Sequence, residues 1–162
     1  MAINLYFIGP IRNEVIVFVT YVNSNYHLNS LDDIIKLDKP IAIQRDAYYG
    51  KVIERFIHHN DYKGYFVHVP DNETKLRLLK RGRISGFLEV KRNVIHGIKH
   101  DVQYYGLRYS GLIIHQNPIY FALSKQSINE ALQQNIAQGF ARLVEKGTLK
   151  EIVAKYQKHD FQ

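Results

Sequence analysis

Ser127 to Tyr156, SINEALQQNIAQGFARLVEKGTLKEIVAKY, is the stretch that decides how this chain folds. Ser127 stands three residues before Glu130, and Thr148 three before Glu151, so two capping-box signatures follow one another. Gly147 closes the first helical pattern directly ahead of the second. On the first helix Ile128, Leu132, Ile136, Phe140 and Leu143 recur at three- and four-residue intervals, forming one apolar face. Ile152, Val153 and Tyr156 do the same on the second. The spacing predicts that two amphipathic helices, capped by Ser127 and Thr148, end the protein.

Upstream of them, apolar runs alternate with amphipathic ones, the pattern of an α/β domain. Glu14 to Tyr21, EVIVFVTY, is β-branched and aromatic and predicts a strand. Ser30 then caps a short helix through Ile34 and Ile35, with Asp32 and Asp33 in its first turn where the helix dipole favours negative charge. Pro40 ends that helix and Ile41 to Gln44 begins a second strand. Arg45 to Gly50, RDAYYG, turns into a helix expected to set Val52, Ile53, Phe56 and Ile57 on one face. The unit repeats with a strand over 65–69, a break at Pro70 and Asp71, and a helix whose apolar side is Leu76 and Leu79. Gly82 ends it and Ile84 to Val90 forms the next buried strand. Two such passages in sequence predict a small, mostly parallel sheet with right-handed crossovers. After a polar stretch, 103–109 and 119–124 read as extended.

Composition fits one globular domain. The 162 residues are 46% hydrophobic and 23% charged, enough to bury roughly two-thirds of the unfolded surface. Cysteine is absent, so neither a disulfide framework nor a thiolate metal site is available. No run approaches the ~20 apolar residues of a membrane helix. Met1 to Val22 lacks the basic start, apolar core and cleavage site of a signal peptide. The formal net charge of +7 suits an acidic partner and requires that a nucleic-acid role be weighed.

Several passages, in order, resemble the type 2 periplasmic solute-binding proteins of amino-acid ABC transporters. FIGPIRNEVIVFVTY (7–21) followed by NSLDDIIKLDKPIAIQRDAYYG (29–50) is similar to that family's hinge strand, short helix, strand and ligand-binding turn. LKRGRISGFLEV (79–90) resembles its Gly-Arg-apolar-Asp signature and the strand beyond. IYFALSKQ (119–126) is similar to the return strand, and EKGTLKEIVAKY (145–156) to the terminal helices. The resemblance implies a binding-protein lobe of the α/β class, a small mostly parallel sheet flanked by helices with two C-terminal helices. It divides 1–162 into a second lobe over about 14–117 and a return strand with helices over 118–162 that belong to the first lobe. Full-length members begin with a first-lobe segment that nothing ahead of Ile3 supplies. The implied function is binding of a small polar, amino-acid-like solute without chemistry or cofactor, delivery to a membrane permease, and a periplasmic location. Gly9 and Pro10, with Asn117 and Pro118, are the implied hinges.

The expected site lies in the turn after the second strand. Backbone N–H groups at a helix N-terminus lack intrahelical partners and sit at the positive end of the dipole, so the Arg45, Asp46, Ala47, Tyr48, Tyr49 turn is a natural anion site. Arg45 offers a bidentate contact to a carboxylate, and Tyr48 and Tyr49 a wall and a hydroxyl. The alternative is that Asp46 caps the helix and the tyrosines cover its first turn. Glu89 either meets a ligand ammonium or lies on a solvated face. Relatives often have Gly-Thr or Gly-Ser where Asp46 and Ala47 stand, and an acidic residue at the position of Val90.

Other constellations carry less. His96 and His100 share a helix-face spacing without a third ligand; His58 and His59 point to different sides. Ser110 lacks the glycines of a nucleophile elbow. Lys80, Arg81, Arg83, Lys91 and Arg92 cluster at a helix end, where cations complement the dipole; no nucleic-acid partner is expected. Apolar surface near Phe140 suggests a homodimer. The sensor module of a signalling receptor, a lytic-enzyme domain, a small dehydratase using Glu89 and a basic-patch nucleic-acid binder remain as alternatives.

Overall fold

The computed structural model describes residues 4–62 and 64–158. Among the described residues five strands and five α-helices follow in the order β1 (Leu5–Tyr21), β2 (Ile41–Gln44), α1 (Lys51–His58), β3 (Phe66–Val69), α2 (Asn72–Lys80), β4 (Gly86–Val90), α3 (Lys91–His100), β5 (Leu107–Ser124), α4 (Glu130–Glu145) and α5 (Thr148–Lys158). The chain divides into two compact units, Val15–Gln116 and Met1–Glu14 with Asn117–Gln162. Both β1 and β5 run from one unit into the other.

The unit Val15–Gln116 holds a sheet of order β3-β2-β4-β1-β5. β2 runs parallel to β3 and β4, and β1 antiparallel to β4. Period-2 alternation divides the strand residues between two cores. Ile16, Phe18, Ile41, Ile43 and Leu88 pack with Ile34, Leu37 and Ile53, whereas Val17, Val19, Ala42 and Phe87 pack with Leu76, Leu79, Val94 and Tyr104. The first face is therefore covered by α1 and a 3-10 turn at Leu31–Lys36, the second by α2 and α3. The Asp33 carboxylate accepts from the Asn29 and Ser30 backbone N–H groups at 2.9 Å each, which holds the start of that turn. Arg108 ties down the loop after β1 by donating to the carbonyls of Tyr21, Ser24 and Tyr26.

Several expectations are corrected. The polar stretch after Val90 is helical: α3 begins there, because Val94 and Gly97 bury one side of it while the charged residues face out. The segment 103–106 is not strand, since Val102–Tyr104 forms a 3-10 turn capped by the Asp101 side chain. The two expected extended pieces after it are one strand, β5. Val52 is 49% exposed, leaving Ile53 as the fully buried side chain of α1. α4 starts at Glu130 rather than at Ser127, and Asn129 caps it by accepting from the Leu132 N–H at 2.9 Å. Ser127 lies instead in the turn that follows β5, where its N–H donates to the Ser124 carbonyl at 3.2 Å and its Oγ to Ser124 Oγ at 3.4 Å. Thr148 is already helical; Gly147, at φ +73°, donates to the Val144 carbonyl and accepts from the Glu151 N–H. One glycine thus ends α4 and begins α5, using a left-handed conformation in which other residues are strained.

The unit containing α4 and α5 has a different character. Among its described residues Ile8 is the one buried hydrophobic side chain, while Leu132, Leu143, Val144, Ile152 and Tyr156 are exposed. Phe121 and Phe140 meet edge to face at 6.1 Å.

Candidate functional site at the carboxyl ends of the parallel strands

The topology singles out one edge of the sheet. The crossover from β2 to β3 passes over one face through α1, and that from β3 to β4 over the other through α2. β2 and β4 are neighbours, and the chain leaves their carboxyl ends toward opposite faces, into α1 on one and α3 on the other; open α/β sheets take ligands at a point of this kind. The Arg45–Gly50 loop and the start of α3 line that end.

Within the loop, Arg45 donates its backbone N–H to Val69 O at 2.8 Å, pinning the loop to the end of β3. Arg45, Asp46, Ala47 and Tyr48 have exposed side chains. Asp46 adopts φ +61°, a left-handed conformation that Asp tolerates better than most residues. It is not the helix cap: Gly50 holds the N-cap position of α1. At φ +96°, with the His115 imidazole where a Cβ would stand, Gly50 is the residue that lets β5 approach the loop. Tyr48 meets the same imidazole edge-on at 5.6 Å. Tyr49 turns inward, its hydroxyl accepting from the Gln44 N–H at 2.8 Å, and burial pushes its pKa up to about 12. The two tyrosines therefore separate into one exposed ring and one core residue. Among the described residues the Arg45 guanidinium has no carboxylate within ion-pair distance.

Glu89 is the last residue but one of β4 and is 5% exposed. Its Oε2 pairs with Lys75 Nζ at 3.0 Å, while Oε1 accepts from the Val90 N–H at 2.9 Å and from Asn93 Nδ2 at 3.1 Å. Lys75, 1% exposed, also donates to the Leu88 carbonyl at 3.1 Å and lies 5.9 Å from the Phe87 ring centroid. Burial lowers its pKa, against the pull of Glu89 in the other direction. The solvated-face reading of Glu89 is thus corrected: the carboxylate is enclosed and paired. Sequence reasoning missed Lys75 altogether, although one signal existed. Lys75 shares the apolar stripe of α2 with Leu79, four residues on. Among the described residues, the buried Asn72 Oδ1 at the start of α2 and His115 Nε2 on β5 have no hydrogen-bond partner.

The remaining candidates fall elsewhere. The His96 and His100 rings lie 4.6 Å apart on exposed positions of α3, and no group of three or more His, Asp or Glu gathers among the described residues. Ser110 Oγ donates to the Leu112 carbonyl at 3.3 Å. Lys80, Arg81 and Arg83 are exposed around the Gly82 turn, and Lys91 lies 5.0 Å from the Tyr109 ring centroid. Asn117 and Pro118 stand at the boundary between units; Gly9 and Pro10, joined by a cis peptide bond, lie within the unit of α4 and α5. Among the described residues no helix is long and apolar enough to cross a membrane.

No protein-family model matches the chain, and no curated protein does. Solved structures do. The GluR0 ligand-binding core complexed with L-glutamate is 15% identical with a TM-score of 0.73, over 96% of this chain and 65% of that one. The probable amino-acid ABC transporter extracellular-binding protein YtmK of Bacillus subtilis is 15% identical with a TM-score of 0.75, over 94% and 64%. A mutant of ArgBP from T. maritima is 17% identical with a TM-score of 0.70, over 95% and 62%. The chain thus spans 62–65% of the length of these structures. The likeness is one of fold, that of a type 2 periplasmic-binding-protein lobe, the architecture expected from the sequence.

Proposed function

We propose that this chain binds a small polar, amino-acid-like solute carrying a carboxylate, as the solute-binding component of an ABC transporter, and performs no chemistry on it. The observation that carries the reading is the divergence of the chain at the carboxyl ends of β2 and β4, where the exposed Arg45 stands at the loop leading into α1 with no carboxylate within ion-pair distance among the described residues. Open α/β sheets take ligands at such a point, and a guanidinium held there matches a carboxylate in a bidentate fork. Tyr48 supplies an exposed ring beside it, with Asp46 and Ala47 completing the loop. Tyr49 supports the loop from the core. The fold shared with YtmK, whose name records an amino-acid ABC transporter, supports the same reading. A ligand-sensing module is the second reading, supported by the fold shared with the GluR0 core.

To the same proposal belong a periplasmic site of action, delivery to a permease, the hinge role of Gly9, Pro10, Asn117 and Pro118, and self-association through the exposed apolar residues of α4 and α5. No nucleic-acid partner is part of it. Isothermal titration of the chain with a panel of small carboxylates tests the core claim. Arg45→Ala is expected to weaken binding at least tenfold, the scale of one lost charge-assisted pair. A panel without a binder would end the reading.

A further inference from the structure

The edge of the sheet opposite the Arg45 loop carries a second surface, which solute binding does not use. β1 runs antiparallel to β4, so its end lies beside the amino end of β4, where Thr20 Oγ1 donates to the Ser85 carbonyl at 2.8 Å. The Val22 N–H donates to the Gly106 carbonyl at 2.8 Å, which brings the turn before β5 to the same place. The amino end of β2 joins them, since the Ser85 N–H donates to the Pro40 carbonyl at 3.0 Å. Of the exposed large hydrophobic side chains described in Val15–Gln116, the three with the greatest exposure gather here: Val102 at 87%, Tyr105 at 84% and Val22 at 59%. A groove of about 420 Å³ runs beside Val102 and Tyr105, with Tyr21 and Leu76 as its other apolar walls and Arg77 and Lys80 of α2 on its rim.

Charge on this edge is divided between the two faces. On the side of α2, Arg77, Lys80, Arg81 and Arg83 are exposed, and Lys39 brings its Nζ to 3.9 Å from where a Cβ on Gly82 would stand. Lys99 stands in the last turn of α3. The carboxylates among these segments are Glu73, on the groove, Asp101, which accepts from the Gln103 N–H at 2.9 Å, and Asp38, which accepts from the Tyr26 hydroxyl at 2.5 Å. Asp32, Asp33 and Asp61 belong to the other face, where Asp33 pairs with Lys36 at 2.6 Å and Tyr62, beside Asp61, packs on Phe56 and donates to Asp32 at 3.5 Å. The exposed apolar tips are therefore flanked by an excess of positive charge.

We infer that this edge is a docking surface for an anionic phospholipid bilayer, with Val102, Tyr105 and Val22 entering the headgroup layer and Arg77, Lys80, Arg81 and Arg83 meeting lipid phosphates. Apolar side chains flanked by Lys and Arg are the chemistry of interfacial binding, in which buried apolar area and attraction to anionic lipid add. Tyrosine suits that depth because its ring is apolar while its hydroxyl stays wet. A protein partner would have to supply a pocket for each projecting side chain, whereas a headgroup layer parts around them. Docked this way, the chain leaves the Arg45 loop, at the other edge of the sheet, open to solution. Membrane docking and solute binding are thus independent, and either can fail without the other.

Co-sedimentation with vesicles tests it, using phosphatidylcholine alone and phosphatidylcholine mixed in equal parts with phosphatidylglycerol. The wild-type chain is expected to bind the anionic vesicles at least about tenfold tighter than the neutral ones, at about fivefold per cation near the surface. Val102→Ser with Tyr105→Ser, at positions too exposed to disturb the fold, is expected to weaken that binding about tenfold or more. Lys80→Ser with Arg81→Ser is expected to do the same, whereas Lys51→Ser with Arg55→Ser, an equal change of charge on α1, is expected to cost about threefold or less. Leu143→Ser with Ile152→Ser probes the other exposed apolar surface, on α4 and α5, and is expected to leave vesicle binding unchanged. Loss in that pair with none in Val102→Ser and Tyr105→Ser would move the membrane contact to α4 and α5 and overturn the inference. Equal weakening by the two charge pairs would reduce vesicle binding to net charge and overturn it as well. A wild-type chain that ignores anionic vesicles would leave this edge to a protein partner and end the inference, with solute binding untouched.

Discussion

The two units of this protein are built from similar helices but close their cores differently. In Val15–Gln116 both faces of the sheet are covered, and Phe18, Ile34, Ile41, Ile53, Phe87 and Leu88 are at most 1% exposed. In the unit of α4 and α5, amphipathic periodicity is just as clear, yet Leu132, Leu143, Val144 and Ile152 lie 42–50% exposed. Periodicity records which side of a helix is apolar; it does not record whether anything covers that side. The first unit derives its stability from packing within itself, whereas the second carries apolar side chains that contribute little until something meets them.

A pair of truncations puts this contrast under the largest strain. Phe87→Ala empties a fully buried position between α2 and the sheet and is expected to cost about 3–5 kcal/mol. Leu143→Ala, at an apolar position of α4, is expected to stay within about 0.5 kcal/mol. Urea unfolding of both variants beside the wild type reads the difference directly. A cost above about 2 kcal/mol for Leu143→Ala would mean that α4 is covered in solution, and dependence of that cost on protein concentration would identify a second copy as the cover.

What was legible in the sequence follows the same division between pattern and partner. The β2–α1–β3–α2–β4 passage could be read because strand runs of four or five residues are bounded by Pro40, Pro70 and Gly82, and the helices between them carry Ile53, Leu76 and Leu79 at helical spacing. α3 was not read because in KRNVIHGIKH the buried positions are Val94 and Gly97, while Ile98, at helical spacing from Val94, lies exposed, and glycine does not register as apolar. At Gly97 the missing side chain is the contact, since a Cβ there would stand 2.6 Å from the Tyr104 ring. The loop of the candidate site was visible as a turn from strand to helix. Its internal arrangement was not: nothing in RDAYYG tells that Tyr49 is core and Tyr48 is not, because that depends on the Gln44 N–H and on β5 passing alongside. Lys75 escaped for the opposite reason. A lysine on an apolar stripe looks like an interruption until the carboxylate fourteen residues on is seen facing it.

A mid-sized effect sharpens the account of the self-closed unit. Tyr49 is held neutral by burial, with its pKa raised from near 10 to about 12. A phenol whose folded pKa is raised contributes stability that is complete below the unfolded value and is lost as pH climbs through the folded one. The loss therefore falls between about pH 10 and pH 12 and amounts to about 2–3 kcal/mol at 1.36 kcal/mol per unit. Tyr49→Phe is expected to flatten that limb of a stability-against-pH curve while costing about 1 kcal/mol at neutral pH through the acceptor lost by the Gln44 N–H. Tyr104, also pushed up by burial, leaves a residual slope. An unchanged alkaline limb in Tyr49→Phe would mean that its hydroxyl is wetter than its position implies.

The smallest effect separates the units most cleanly, because the same chemistry occurs once in each. Asp71 caps α2 by accepting from the Thr74 N–H at 2.7 Å, and Asn129 caps α4 by accepting from the Leu132 N–H at 2.9 Å. Truncating either to alanine removes the acceptor of one orphan donor, at a cost of about 1 kcal/mol. In the closed unit α2 packs Leu76 and Leu79 into the core, so it cannot fray without opening that core, and Asp71→Ala is expected to lower global stability by the full amount. α4 buries no hydrophobic side chain among the described residues and leaves Leu132 exposed near its start, so its first turn opens locally at a free energy below that of global unfolding. Asn129→Ala is then expected to leave the urea midpoint almost unmoved while reducing hydrogen-exchange protection at the start of α4 about fivefold, the factor that 1 kcal/mol represents. Equal shifts of the urea midpoint in the two variants would show that the exposed helices unfold together with the sheet, and the contrast between the units would then be one of surface chemistry and not of stability.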